Sequence, residues 1–79
     1  MSLRLTETLG LLSRARQFVI DGEGNLSKQR AVVDRLERVG VDTSDAMDYL
    51  ETLEEMQAEY TAHMEKLERQ VLVLVKPDD

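Results

Sequence analysis

Apolar residues recur along the second half of the chain at alternating steps of four and three positions. This spacing keeps one face of an α-helix apolar and packs it against a neighbouring helix, as in a coiled coil. The row comprises Ala46, Leu50, Leu53, Gln57, Tyr60, Met64, Leu67, Val71 and Leu74. Because Pro77 cannot continue a helix, the row predicts a helix over about 43–75.

A similar row in the first half predicts a helix over about 4–39. Its members are Leu5, Leu9, Leu12, Ala15, Val19, Gly22, Leu26, Gln29, Val33 and Leu36. Between the two rows, Gly40 can end the first helix with a positive φ angle, and Asp42 can cap the second. The pattern therefore predicts one all-α domain over 1–79, an antiparallel two-helix hairpin with its turn at 40–42.

The weak point of the first helix is the segment 21–25, which reads Asp-Gly-Glu-Gly-Asn. Two glycines inside a helix cost roughly 2 kcal/mol relative to alanine, so the segment is also compatible with a turn. That alternative breaks the first helix at 21–25 and gives a three-helix bundle.

A register test favours the unbroken hairpin. In an antiparallel pair, facing residues have numbers that add to a constant, and the nine facing pairs of the two rows all give 82 or 83. In this register Gly22 faces Tyr60, so the smallest residue meets an aromatic ring. Gln29 and Gln57 lie in adjacent layers, where a hydrogen bond between them can hold the register.

A second stripe of mostly apolar residues borders each row and repeats every seven residues. It comprises Leu11, Phe18, Asn25, Val32 and Val39 on the first helix, and Tyr49, Met56, His63 and Gln70 on the second. One hairpin seam leaves this stripe in water, and chains below about 80 residues usually need a disulfide, a metal or a partner for stability. We therefore expect a homodimer, a four-helix bundle whose interface contains Leu11, Phe18, Val32, Val39, Tyr49, Met56 and His63.

Composition excludes several classes of protein. The absence of cysteine excludes disulfides and thiolate metal sites. The formal net charge of −6 argues against nucleic acid and anionic membranes as partners. No apolar stretch reaches the ~18 residues of a membrane span, and no signal sequence precedes the first helix, so we expect a cytoplasmic location.

The charge is divided unevenly between the predicted helices. Residues 1–40 contain seven basic and five acidic side chains, whereas residues 41–79 contain three and eleven. Partial charges of +2 and −8 suit two helices that lie side by side.

The two chain ends that meet opposite the turn are unusually apolar. They contain Leu5, Leu9, Leu72, Val73 and Val75. Five consecutive apolar residues, 71–75, cannot all face one helical seam. This end is either covered within the bundle or is a docking patch for another protein.

Candidate chemistry is sparse. Glu55, Glu59 and His63 lie on successive turns of the second helix, which suggests a carboxylate/His metal-binding bundle, but the first helix supplies no opposing carboxylate. Nothing places a nucleophile beside the single histidine, so we expect no enzyme activity, no cofactor and no catalytic residue. The sequence favours a self-associating interaction or regulatory module, and the alternatives are a hetero-complex subunit and the metal-binding bundle.

The segment 40–46 reads Gly-Val-Asp-Thr-Ser-Asp-Ala, a Gly-x-Asp-Thr-x-x-Ala turn. With weaker motifs over about 12–68, this turn resembles a family of short uncharacterised bacterial helical-hairpin proteins. The chain departs from the family pattern at Asp21 and Gly24. The resemblance implies a helical hairpin and carries over no activity and no functional residues.

Overall fold

The computed structural model describes residues 2–75, which form two long helices joined by a short turn. Helix α1 spans Leu3–Val39 and helix α2 spans Ser44–Val75. They lie side by side in an elongated hairpin of 63 × 15 × 14 Å. The all-α hairpin is thus confirmed. The three-helix alternative is wrong, because α1 continues without interruption through 21–25.

Both ends of α1 are capped by local hydrogen bonds. The Ser2 side chain accepts from the backbone N–H of Leu5 at 3.0 Å. At the other end Gly40 adopts φ 80° and ψ 20°, and its N–H donates to the carbonyls of Leu36 and Glu37. Val41 also donates to Leu36, at 3.2 Å. The bonds from Val41 to Leu36 and from Gly40 to Glu37 form a Schellman motif. This motif requires the left-handed conformation that glycine adopts without strain.

The start of α2 differs by one residue from the prediction. The carbonyl of Thr43 accepts from the N–H of Met47 at 2.8 Å, so Thr43 occupies the capping position expected for Asp42. Asp42 instead accepts from the backbone N–H and the hydroxyl of Ser44, at 3.0 and 2.7 Å. These hydrogen bonds, the one from the hydroxyl most of all, lower the pKa of Asp42 below its ordinary value of 3.8.

The lowered pKa of Asp42 predicts how stability changes with pH. Its carboxylate contributes fully above the pKa of the unfolded chain, and the contribution is lost as the pH falls through the folded-state pKa. We expect Asp42→Asn to lose less thermal stability than the wild type as the pH falls from about 5 through the folded-state pKa of Asp42. Thermal melts at each pH check this. An Asp42→Asn variant that keeps the full pH dependence of the wild type would contradict the prediction.

The seam between the helices contains a thin core. Its buried apolar residues are Leu12, Ala15, Leu26, Val33 and Leu67. The largest cluster forms around Leu12, Ala15 and Leu67, with Met64 and Val71 packed against it. All of these residues belong to the two predicted rows, so the heptad spacing identified the seam correctly.

The predicted core row of α1 is wrong at one position, where it contains Leu9 and the structure buries Thr8. Thr8 is 7% exposed, whereas Leu9 is 41% exposed. Stepping back from Leu12 in unbroken heptads leads to Thr8, while the predicted row chose the more apolar neighbour. The Thr8 hydroxyl donates to the carbonyl of Arg4 at 2.8 Å, so its burial leaves the hydroxyl bonded. Leu9 is consequently on the outside of the hairpin.

Candidate interaction surface

Two glutamines connect the helices across the seam. The Nε2 of Gln57 donates to the carbonyl of Val19 at 2.9 Å and to a carboxylate oxygen of Glu23 at 3.2 Å. The Nε2 of Gln29 donates to the carbonyl of Ala46 at 2.8 Å. The predicted bond between the two glutamines is therefore wrong. Each side chain instead bonds the backbone of the opposite helix, which ties the helices together at two heights.

Gly22 makes room for Gln57. A Cβ atom at this position would overlap the end of the Gln57 side chain. The predicted facing of Gly22 with Tyr60 is corrected accordingly, because Gln57 fills the space and Tyr60 stacks on Phe18. The two ring centroids are 5.5 Å apart with an interplanar angle of 26°. The missing side chain thus lets Gln57 reach the backbone of α1.

One flank of the seam carries charge. This charged flank contains Arg16, Glu23, Arg30 and Glu37 of α1, with Glu54 and Glu68 of α2. Arg16 pairs with Glu68 at 3.4 Å, and Arg30 pairs with Glu54 at 3.8 Å. Exposed pairs of this kind contribute only about 0–1 kcal/mol each. Their main effect is to make this flank a hydrated surface that is costly to bury.

The opposite flank of the seam has no charged side chain. This uncharged flank is the predicted second stripe, and none of its members is Asp, Glu, Lys or Arg. They are every seventh residue of each helix: Leu11, Phe18, Asn25, Val32 and Val39 on α1, and Tyr49, Met56, His63 and Gln70 on α2. Of the seven residues predicted for the interface, Leu11, Phe18, Val39, Tyr49, Met56 and His63 are exposed and Val32 is half-buried. Phe18 and Val39 expose 56% and 67% of their surface. The hairpin thus leaves a long apolar strip in water.

A shallow groove marks the middle of the uncharged flank. Its volume is about 250 Å³. Phe18, Asn25, Met56 and Tyr60 line it together with Asp21, Gly22, Leu53 and Gln57. Asn25 of α1 and Met56 of α2 therefore lie at the same height of the hairpin.

The open end of the hairpin, opposite the turn, is both apolar and cationic. Leu9, Leu72, Val73 and Val75 are exposed there, whereas Leu5 is half-buried. A groove of about 280 Å³ lies on the same side as the uncharged flank. It is lined by Arg4, Thr8, Lys66, Arg69, Gln70, Val73 and Leu74. The sequence pattern did not reveal this cation cluster, because Arg4 and Lys66 are far apart in the chain and only the hairpin brings them together.

The candidate metal ligands do not converge within the part of the chain that the structure describes. Within residues 2–75, no three His, Cys, Asp or Glu side chains are close enough to hold one metal ion. Glu55, Glu59 and His63 lie exposed on α2 without a further ligand from α1. Neither helix, over the same residues, combines the length and apolar content needed to cross a membrane.

Comparisons with family models, with curated proteins and with solved structures find no match to this chain. The resemblance to the bacterial helical-hairpin family therefore stays a prediction. The surface itself is the basis for assigning a function.

Proposed function

We propose that this chain is a non-catalytic interaction module that self-associates through its uncharged flank into a four-helix bundle. The observation that carries the proposal is the surface area. The hairpin exposes 6151 Å². A compact monomer of 9.0 kDa exposes about 4,850 Å² by the usual scaling with mass. The surplus of roughly 1,300 Å² exceeds the ~800 Å² that each partner buries in a standard interface.

The distribution of apolar side chains supports the same conclusion. Among residues 2–75, thirteen large hydrophobic residues are exposed, against five hydrophobic residues that are buried. Such a ratio leaves too little buried surface to offset the entropy of ordering two long helices. A second copy on the uncharged flank covers Leu11, Phe18, Val39, Tyr49 and Met56 in one step.

Charge determines which flank is covered. Burying the charged flank would strip water from Arg16, Arg30, Glu54 and Glu68, which costs more than their pairing returns. Burying the uncharged flank requires no such desolvation. An isologous contact also places the same stripe on both sides of the interface, so apolar residues meet apolar residues.

A second candidate follows from the open end. Leu72 and Val73 are 66% and 73% exposed and lie outside the uncharged flank. A different protein that covers them would make the chain a subunit of a hetero-complex, with Leu5, Leu9 and Val75 at the edge of the contact.

The mass in solution tests the proposal. We expect sedimentation equilibrium of the purified chain to give twice the monomer mass of 9.0 kDa at micromolar concentration. Thermal unfolding should then shift to higher temperature as concentration rises, since the folded state is bimolecular. A folded monomer with a concentration-independent melting temperature would contradict self-association and favour the hetero-complex.

A further inference from the structure

We infer, on the basis of the proposed self-association, that the two hairpins lie with their turns at opposite ends of the bundle. The two-fold axis then passes beside Asn25 and Met56. The occupant of the uncharged flank is a second copy of this chain in one orientation and one register. Its interhelical turn lies over the cationic groove at the open end.

The charge along the hairpin favours this orientation. The turn half, residues 22–58, carries nine acidic and four basic side chains, a net charge of −5. The rest of the described chain carries five of each and is neutral. If the turns lay at the same end, the two turn halves, each with a net charge of −5, would face each other. Turns at opposite ends place each acidic half beside a neutral one, which removes that repulsion.

The spacing of the stripe supplies the register. Around a two-fold axis at Asn25, residues equally far before and after Asn25 face each other. Phe18 therefore meets the partner's Val32, and Leu11 meets the partner's Val39. Asn25 then meets its own copy, where paired amides can hold the register as a buried asparagine does in a coiled coil.

The stripe of α2 is compatible with the same axis. Around Met56, Tyr49 meets the partner's His63 at one heptad on either side. A single axis requires that the centres on α1 and α2 lie at one height. Asn25 and Met56 satisfy this, because both line the central groove of the hairpin.

The charged residues that border the stripe agree with this register. Asp21 borders it on α1, beside Phe18 and Asn25. One heptad later, Lys28 occupies the same border, so Asp21 meets the partner's Lys28. Arg14 and the partner's Arg35 form one unfavourable pair. The two-fold axis generates two copies of each of these contacts.

The border of α2 adds a second attractive pair. Lys66 lies there beside Gln70. Three heptads earlier, Asp45 occupies the same border and meets the partner's Lys66. Turns at the same end reverse the balance. Lys66 then meets the partner's Arg14 and Asp21 meets the partner's Glu59, which are two repulsive pairs. The one attractive pair is Arg35 with the partner's Asp45.

The open-end groove matches the turn of the second copy. Arg4, Lys66 and Arg69 line it, and none of them takes part in the ion pairs found among residues 2–75. In the inferred register the partner's turn passes over this groove. That turn presents an exposed Val41 and the carboxylate of Asp42, which suit a groove lined by both apolar and cationic side chains.

Spin labels test the orientation directly, since the chain has no native cysteine. Gly10→Cys and Gly24→Cys suit labelling, because a side chain at either position meets no atom within 4 Å. In the inferred dimer the two Gly10 positions are offset along the bundle by about 30 residues, or ~45 Å. The two Gly24 positions are offset by only ~3 Å.

Pulsed dipolar measurements on the intact dimer should therefore give a long distance for Gly10→Cys and a short one for Gly24→Cys. Short distances at both positions would mean that the turns share one end, and would overturn the inferred orientation while leaving self-association intact. A monomeric mass with no dipolar coupling at either position would overturn self-association itself.

Charge reversal supplies a second test with opposite signs for the two orientations. We expect Lys66→Asp to raise the dimer dissociation constant roughly tenfold, because the axis repeats the lost pair with Asp45 twice. Adding Asp45→Lys should restore most of the affinity. With the turns at one end, Lys66→Asp would remove a repulsion from Arg14 and tighten the dimer, and that result would overturn the inference.

Discussion

Replacing Gly22 with leucine should destabilise the hairpin by about 2–3 kcal/mol. The new side chain would occupy the space of Gln57, which would lose its hydrogen bonds to the backbone of Val19 and to Glu23. Overpacking and the lost hydrogen bonds together outweigh the gain of ~0.8 kcal/mol in helix propensity. For a chain of this length the melting temperature should fall by roughly 10 °C or more, which calorimetry measures directly.

Gly24→Leu is the matched control, because nothing lies within 4 Å of a Cβ atom at Gly24. That variant should gain the propensity term alone and be more stable by about 0.5–1 kcal/mol. Gln57→Ala in the Gly22→Leu background should recover part of the loss, since the overlap is removed. If both glycine variants shifted the melting temperature in the same direction, the contact between Gly22 and Gln57 would be contradicted.

Phe18→Glu should dissociate the dimer, with an increase of at least about 100-fold in the dissociation constant. The two-fold axis places two carboxylates in the apolar strip, and each must lose water or open the interface. Sedimentation velocity over a concentration series measures the effect. Met56→Glu, on the other helix of the same flank, should act in the same way although it leaves the stacked rings intact.

Ile20→Glu is the control for charge and for lost apolar surface. Ile20 is exposed to a similar degree as Phe18 but lies on the outer side of α1, away from the uncharged flank. This variant should keep the wild-type affinity. Equal weakening by Ile20→Glu and Phe18→Glu would mean that the interface is elsewhere.

Much of the fold was predictable from local pattern. The heptad rows, Gly40 and the acids that follow it indicated two helices and their turn, and the structure has helix ends within one residue of those predicted. Heptad spacing is a strong signal because burial along a seam repeats regularly over many turns. The glycine pair at 21–25 was the one strong local signal against a helix, and packing against α2 overrides it.

Two of the wrong predictions share one physical origin. Leu9 was placed in the core because it is more apolar than Thr8, yet the continuous rotation of the helix turns Thr8 inward. Tyr60 was placed against Gly22 because their numbers matched, yet Gln57 makes better use of the gap. In the first case residue type suggested the buried residue and in the second residue number suggested the partner, but the direction of the side chains in three dimensions selected another residue.

By itself, the order of residues determined the helical class, the place of the turn and the existence of a second apolar stripe. These depend on periodicity, which is local along each helix. Only the tertiary structure decided that Gln57 bonds across Gly22 and that Arg4 joins Lys66 and Arg69 in one groove. Those features depend on the register and rotation of two helices whose facing residues are up to about 70 positions apart in the chain. Register and rotation are fixed only when the side chains of the seam pack together.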